Sequence, residues 1–158
     1  YALVNERSNM MLSNLINTDP LTQVYNEHQF HHNMGKEITR ADRQRIGMVL
    51  MTIRLPATWQ QLKTEEYENR IANAGHRLQK NIREYDTCYR LNTDDFVILL
   101  PNSSPEDGEE LCENLLSQIS KSRYASQNKF IIKMATYRPE DDSYSLLKRA
   151  TAQFEESN

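Results

Sequence analysis

Two carboxylates stand side by side at Asp94 and Asp95, and a guanidinium and a carboxylate stand three residues apart at Arg83 and Asp86. Adjacent acids can hold Mg²⁺, and their ordinary role here is a solvated hairpin tip. An Arg and an Asp at i and i+3 of a helix end share a face; their ordinary role is a helix-end ion pair that the dipole favours. His28 and His32 have the i, i+4 spacing that can chelate Zn²⁺, with His31 beside them. The sequence places no third ligand, so a solvated helix face is expected and no metal is assigned. Cys88 falls in a strand-like run and reads as packing rather than as a nucleophile. Lys36, Arg40, Arg43 and Arg45 form a basic stretch, and Arg70, Arg77, Lys80 and Arg83 another. Either could meet an RNA backbone, but Glu65, Glu66, Glu68 and Glu84 offset the second, and no aromatic residues interleave to stack bases. A salt-bridged exposed face is the default for both.

These residues must be positioned by a regular pattern of elements. Asn26 caps a helix expected to run to about Arg40, with Phe30 and Met34 on one face. Ile46 to Leu55 is an apolar run suited to a buried strand, and Pro56 ends it. Gln60 to Arg83 reads as one long helix through Tyr67, Ile71, Ala74, Leu78 and Ile82, with Trp59 packing at its start. Thr87–Leu91 and Asp95–Leu100 form a hairpin across Asn92-Thr93-Asp94. Pro101 to Gly108 is read as a loop. A helix marked by Leu111, Leu115 and Ile119 follows, then a strand from Lys129 to Tyr137, then a helix marked by Leu147, Ala150 and Phe154. From Ile46 the order is βαββαβ plus a helix. That predicts an α+β fold with a ferredoxin-like core, a central antiparallel sheet flanked by helices. Ahead of it, Leu3 to Asn17 has roughly helical apolar spacing and stops at Asp19-Pro20. It is expected to be a signalling helix, and a homodimer could form through Val4, Ser8, Met11 and Leu15. The expected division is a linker helix over 1–17 and one domain over 18–158.

Composition narrows the function. The 158 residues suit one domain. Four glycines are too few for a dinucleotide fold or a P-loop, which bring backbone against phosphate at several glycines. A net charge of −3 argues against a surface that is basic overall. The two cysteines form no CxxC, which suits a reducing compartment. No apolar run is long enough to span a membrane, so no direct membrane contact by this chain is expected. The chain begins at Tyr1 and is expected to be part of a longer protein.

Asp19-Pro20-Leu21-Thr22-Gln23-Val24-Tyr25-Asn26 resembles the DPLTGLxN opening of GGDEF domains, the diguanylate cyclases. The segment Arg83 to Phe96 resembles that family's RxxDxxxRxGGDEF stretch in register. The resemblance implies the nucleotidyl cyclase fold from about Thr18 onward. Its cyclases join two GTP molecules into cyclic di-GMP, with carboxylates holding Mg²⁺ and a Gly-Gly pair against phosphate. Here the motif is Asn92, Thr93, Asp94, Asp95 and Phe96, so both glycines are replaced and Asp95 stands for the Glu. The acid that ends the first strand is replaced by Thr52, and the next acidic position by Arg54. Pro56-Ala57 and Gln60-Gln61 replace a Phe-Lys pair and the guanine-holding Asn-Asp. The resemblance therefore implies a degenerate domain without catalytic residues or cofactor; a residual cyclase through Asp95 is the opposing expectation. Arg83 and Asp86 match the family's inhibitory site, which implies cyclic di-GMP as a ligand: an Arg fork can bond guanine O6 and N7 while a carboxylate accepts its N–H donors.

A finer resemblance rests on Met51-Thr52-Ile53-Arg54-Leu55-Pro56, Tyr89-Arg90, Asp94-Asp95-Phe96 and Leu99-Leu100-Pro101, which are similar to the CsrD/MshH type of regulator. That type implies a cytoplasmic domain of an inner-membrane protein with an EAL-like domain in the same chain. It further implies a role in RNase E-dependent decay of the small RNAs that sequester the carbon-storage regulator CsrA, with small RNA or the decay machinery as partner.

Overall fold

In the computed structural model, residues 17–92, 94–120 and 129–156 are described. The elements are α1 (Glu27–Gln44), β1 (Met48–Arg54), a 3₁₀ turn (Ala57–Gln61), α2 (Thr64–Asn81), β2 (Thr87–Arg90), β3 (Asp95–Pro101), α3 (Pro105–Ser120), β4 (Ile131–Thr136) and α4 (Ser143–Glu156). The four strands form one antiparallel sheet in the order β2-β3-β1-β4. This is the βαββαβ order expected, with α1 before it and α4 after it. The expected helix over Leu3–Asn17 lies outside the described residues up to residue 16, and so does Thr93; so do the side chains of Ile119 and Phe154.

β1 is the middle of the sheet, paired on both edges, and its first six residues are buried. Strand residues alternate between faces, so each strand feeds two cores. Val49, Met51 and Ile53 of β1 join Phe96, Ile98 and Leu100 of β3 against Ile71 and Leu78 of α2 and Leu115 of α3. Met48 and Leu50 join Val97 and Leu99 against Phe30 and Met34 of α1 and Leu146 and Ala150 of α4. A strand covered on both faces reads as a continuous apolar run, which is why β1 and β3 are legible in the sequence.

Local chemistry sets the helix ends. The Asn26 Oδ1 accepts the Gln29 N–H at 3.1 Å and starts α1, which runs to Gln44, one turn beyond the expected end, and stops where Arg45 turns left-handed at φ 52°. The single helix expected from Gln60 to Arg83 is two pieces. Trp59 is buried, meeting Phe130 edge-to-face at 5.4 Å, and anchors the 3₁₀ turn; Leu62 is then extended before α2 begins. The loop expected over Pro101–Gly108 ends early, because Pro105 opens α3. Ser104 Oγ accepts the Asp107 N–H at 3.2 Å while Asp107 Oδ2 accepts the Ser104 N–H at 2.8 Å, a reciprocal capping box with proline at the first helical position.

Residues 18–26 lie along the open edge of β2. Asp19 Oδ2 accepts the Thr22 N–H and hydroxyl at 3.0 and 2.7 Å, closing a turn. Tyr25 then bridges Tyr89 in parallel, its N–H on Cys88 O and its carbonyl taking the Arg90 N–H. Gly75 of α2 packs against this turn so closely that a Cβ would lie 2.8 Å from Thr22 Cβ.

Gly35 is the opposite case: it is exposed in mid-α1 and a Cβ there would meet nothing within 4 Å. Gly35→Ala is expected to stabilise the fold by about 0.5–1 kcal/mol. Gly75→Ala is expected to destabilise it by on the order of 1–3 kcal/mol through overpacking, both read from urea unfolding. A second expectation concerns acid. The Ser104 backbone N–H and then its hydroxyl hold the Asp107 carboxyl below the usual carboxylate range. A lowered pKa in the folded state contributes stability above the unfolded pKa and loses it as pH falls through the folded one. Asp107→Asn should therefore lower Tm at neutral pH, and its gap to the parent should close in acid.

Candidate functional site

Two constellations from the sequence can be located in the fold. The first lies where β1 ends beside the β2–β3 hairpin. Register places Arg54 opposite Asp95. The guanidinium donates to both carboxylate oxygens, Nε to Oδ1 at 3.0 Å and a terminal nitrogen to Oδ2 at 3.3 Å. Asn92 adds a third donor, its amide to Asp95 Oδ2 at 3.1 Å. Asp95 is therefore not the solvated tip residue expected: its side chain is 9% exposed and ion-paired, against 39% for Arg54. Asp94 is half-buried; its backbone N–H goes to Asn92 Oδ1 at 2.9 Å, its carbonyl takes the Leu55 N–H and its carboxylate takes the Gln60 amide at 3.3 Å. Phe96 is wholly buried and points into the α2–α3 core. Thr52 is also wholly buried, and its hydroxyl donates to Ala150 O of α4 at 3.0 Å.

Asp19 braces this end from the side, with both its oxygens within 3.3 Å of the Arg90 guanidinium. Between the Asp19 turn, the start of α1 and the hairpin runs an open groove of about 380 Å³, lined by Asp19, Asn26, Glu27, His28, Arg90 and Asn92 among others.

The second constellation is Arg83 with Asp86. They are not on a helix end, because α2 stops at Asn81. They close a turn, with the Asp86 N–H on Arg83 O at 3.0 Å, and the turn itself brings the side chains together. Asp86 Oδ2 accepts the Arg83 backbone N–H at 2.9 Å and Nε at 3.0 Å, and Oδ1 accepts a terminal nitrogen at 3.0 Å. Arg83 also bonds Ser103 Oγ, and its guanidinium lies 4.9 Å from the centre of the exposed Tyr85 ring. The Arg83 guanidinium is charged as any arginine is, and the Asp86 hydrogen bond raises its pKa further.

The remaining candidates stay apart. His28, His31 and His32 are exposed on α1, His31 3.5 Å from Glu27, and no group of three metal-binding side chains occurs among the described residues. Burial pushes the Cys88 thiol up to about 12, which fits packing. Among the described residues no helix is long and apolar enough to cross a membrane. Sequence reasoning missed the Arg54–Asp95 and Arg90–Asp19 pairs. The first could have been found by laying the two central strands antiparallel, which sets a basic strand end against an acidic one.

The family profile described as "Diguanylate cyclase, GGDEF domain" matches residues 16–157. No curated protein matches the sequence. Among solved structures, the coiled coil and GGDEF domain of DgcB from Caulobacter crescentus, in complex with c-di-GMP, is 15% identical with a TM-score of 0.84, over 99% of this chain and 89% of that one. The diguanylate cyclase SiaD from Pseudomonas aeruginosa, in complex with its activator SiaC, is 19% identical with a TM-score of 0.79; the match covers 99% of this chain and 66% of SiaD. The GGDEF domain of FimX from P. aeruginosa is 17% identical with a TM-score of 0.78, over 89% and 92%. At such identities these likenesses establish the fold, and the profile match over nearly the whole chain establishes the rest: the chain belongs to the GGDEF family.

Proposed function

We propose that this chain is a non-cyclising GGDEF domain of the CsrD/MshH type, which acts by binding and relay. The Arg54–Asp95 pair carries this reading. Two-metal phosphoryl transfer needs carboxylates that can turn to Mg²⁺. Of the two acids at the hairpin, Asp95 accepts three hydrogen bonds, two of them from a fixed positive charge that would repel a cation at that spot, and Asp94 takes the Gln60 amide. Thr52, the other position where the resemblance implies an acid, commits its hydroxyl to a backbone carbonyl in the core. Arg54 belongs to the Ile53-Arg54-Leu55-Pro56 strand end on which the CsrD/MshH resemblance rests. In this reading residues 1–17 link the domain to its parent, an inner-membrane protein with an EAL-like domain. Its output is RNase E-dependent turnover of the small RNAs of the carbon-storage system.

With GTP and Mg²⁺ the chain is expected to make no cyclic di-GMP, and product seen by chromatography would overturn the reading. Arg54→Ala, which strands a buried carboxylate, is expected to cost on the order of 1–3 kcal/mol in urea unfolding. The half-open position of Arg54 keeps that cost below that of a fully buried pair.

A second reading is a cyclic di-GMP receptor through Arg83 and Asp86. It is favoured by the placement of a permanently charged guanidinium over the exposed Tyr85 ring. The ligand would have to take Arg83 from Asp86 and Ser103. Calorimetric titration with cyclic di-GMP decides it: saturable binding lost in Arg83→Ala supports the receptor, and no heat at high ligand concentration removes it.

A further inference from the structure

We propose that the exposed face of α1 and the cleft between α1 and β2 form one binding site for single-stranded RNA, with phosphates on Lys36, Arg40 and Arg43 and a base in the cleft. The inference deepens the RNA-turnover reading by naming the surface that meets the RNA. Lys36, Arg40 and Arg43 stand at i, i+4 and i+7, so they form one stripe along α1. All three are exposed, and among the described residues no ion pair involves them. Arg54, Arg70, Arg83, Arg90 and Arg149, by contrast, are each paired with an acid. Glu37 and Asp42 stand between them in sequence but fall off this stripe, so a protein of net charge −3 keeps three cations aligned on one line of α1.

The sequence shows no aromatic residue near this stretch; the fold supplies one. Tyr85, 62% exposed in the turn before β2, shares a cleft of about 180 Å³ with Asn33, Lys36, Glu37, Tyr89 and Pro101. Lys36 belongs to both features, so the cationic stripe leads into the cleft. The Arg83 guanidinium lies over the Tyr85 ring, 4.9 Å from its centre, so a base would stack on the ring's other face. Glu37 can accept from an exocyclic amine, and Asn33, which donates to the Tyr89 hydroxyl at 2.7 Å and accepts the Gln29 amide at 2.8 Å, keeps one N–H and one lone pair for a base. Bases buried in a duplex cannot enter such a cleft, whereas unstacked ones can.

The test is fluorescence anisotropy of the whole chain with a 20-nucleotide unstructured RNA across a salt series, with a duplex of the same length and inorganic polyphosphate as competitors. The single strand should bind most tightly. Replacing Lys36, Arg40 and Arg43 together by Gln should reduce the slope of log K against log salt by about 2, at about 0.7 per single-strand phosphate contact. Tyr85→Ala should weaken binding about tenfold with the slope unchanged, and Tyr85→Phe should restore it. All four side chains are exposed, so these variants should fold, which circular dichroism checks. Equal binding of polyphosphate together with no effect of Tyr85→Ala would overturn the site, as would absence of RNA binding at low salt. The cyclisation assay fails independently: product from GTP would end the non-cyclising reading and leave an RNA site defined by these variants standing.

Discussion

β1 is hydrogen-bonded along both edges and covered by helices on both faces, so its residues have no water to turn to until the strand runs out. That constraint decides what its C-terminal end can carry. Thr52 is still inside and must give its hydroxyl to a carbonyl of α4. Arg54 is the first residue able to reach solvent, and it does so only in part, with its guanidinium laid along the Asp95 carboxylate. A charge at either position without its counter-charge would be stranded at the rim of a dry sheet. The same geometry that would aim acids at a metal therefore aims a cation at an acid, and the hairpin is fastened by that attraction.

The two constellations share a logic. In each, a carboxylate nearly removed from water is held by an arginine that keeps partial access to it: Asp95 by Arg54, and Asp86 by Arg83. Each arginine enters along the strand or turn that also supplies the backbone bonds of its partner. Such pairs gain little over apolar substitutes, but they punish any change to one member alone. They fix the shape of the chain at the β2–β3 hairpin and at the turn before β2. The described surface of α1 is built differently, with Lys36, Arg40 and Arg43 in a row and no ion pair to them among the described residues.

The core was largely legible in the sequence, because strands buried on both faces announce themselves as apolar runs and helices as three-and-four spacing. What misled was a matter of ends. Trp59 carries the apolar pattern of α2 backward into what is a separate 3₁₀ turn, and Ile82 carries it forward past the last helical residue. Periodicity registers side chains, whereas helix ends are set by backbone bonds. The signal for α3, Ser104-Pro105-Glu106-Asp107, was present but polar, and a polar stretch with proline looks like a loop. The site was half legible: Arg83 with Asp86 could be paired from spacing alone, because the turn is local. Arg54 with Asp95 and Lys36 with Tyr85 could not, because their proximity exists only after the sheet has set its register and α1 has packed on it.

The segment from Asp19 to Asn26 is a mechanical link as well as a cover for the edge of β2. At one end Asn26 takes hold of α1; at the other, Asp19 grips Arg90, two residues from Asn92 of the hairpin. Gly75 lets α2 press on the same turn without a side chain between. A load on the backbone at Asn17 would thus be shared among α1, α2 and the edge strand β2, whose Cys88 carbonyl and Arg90 N–H are bonded to Tyr25. The turn is a single junction at which α1, α2 and the edge of the sheet are held together by one short run of residues.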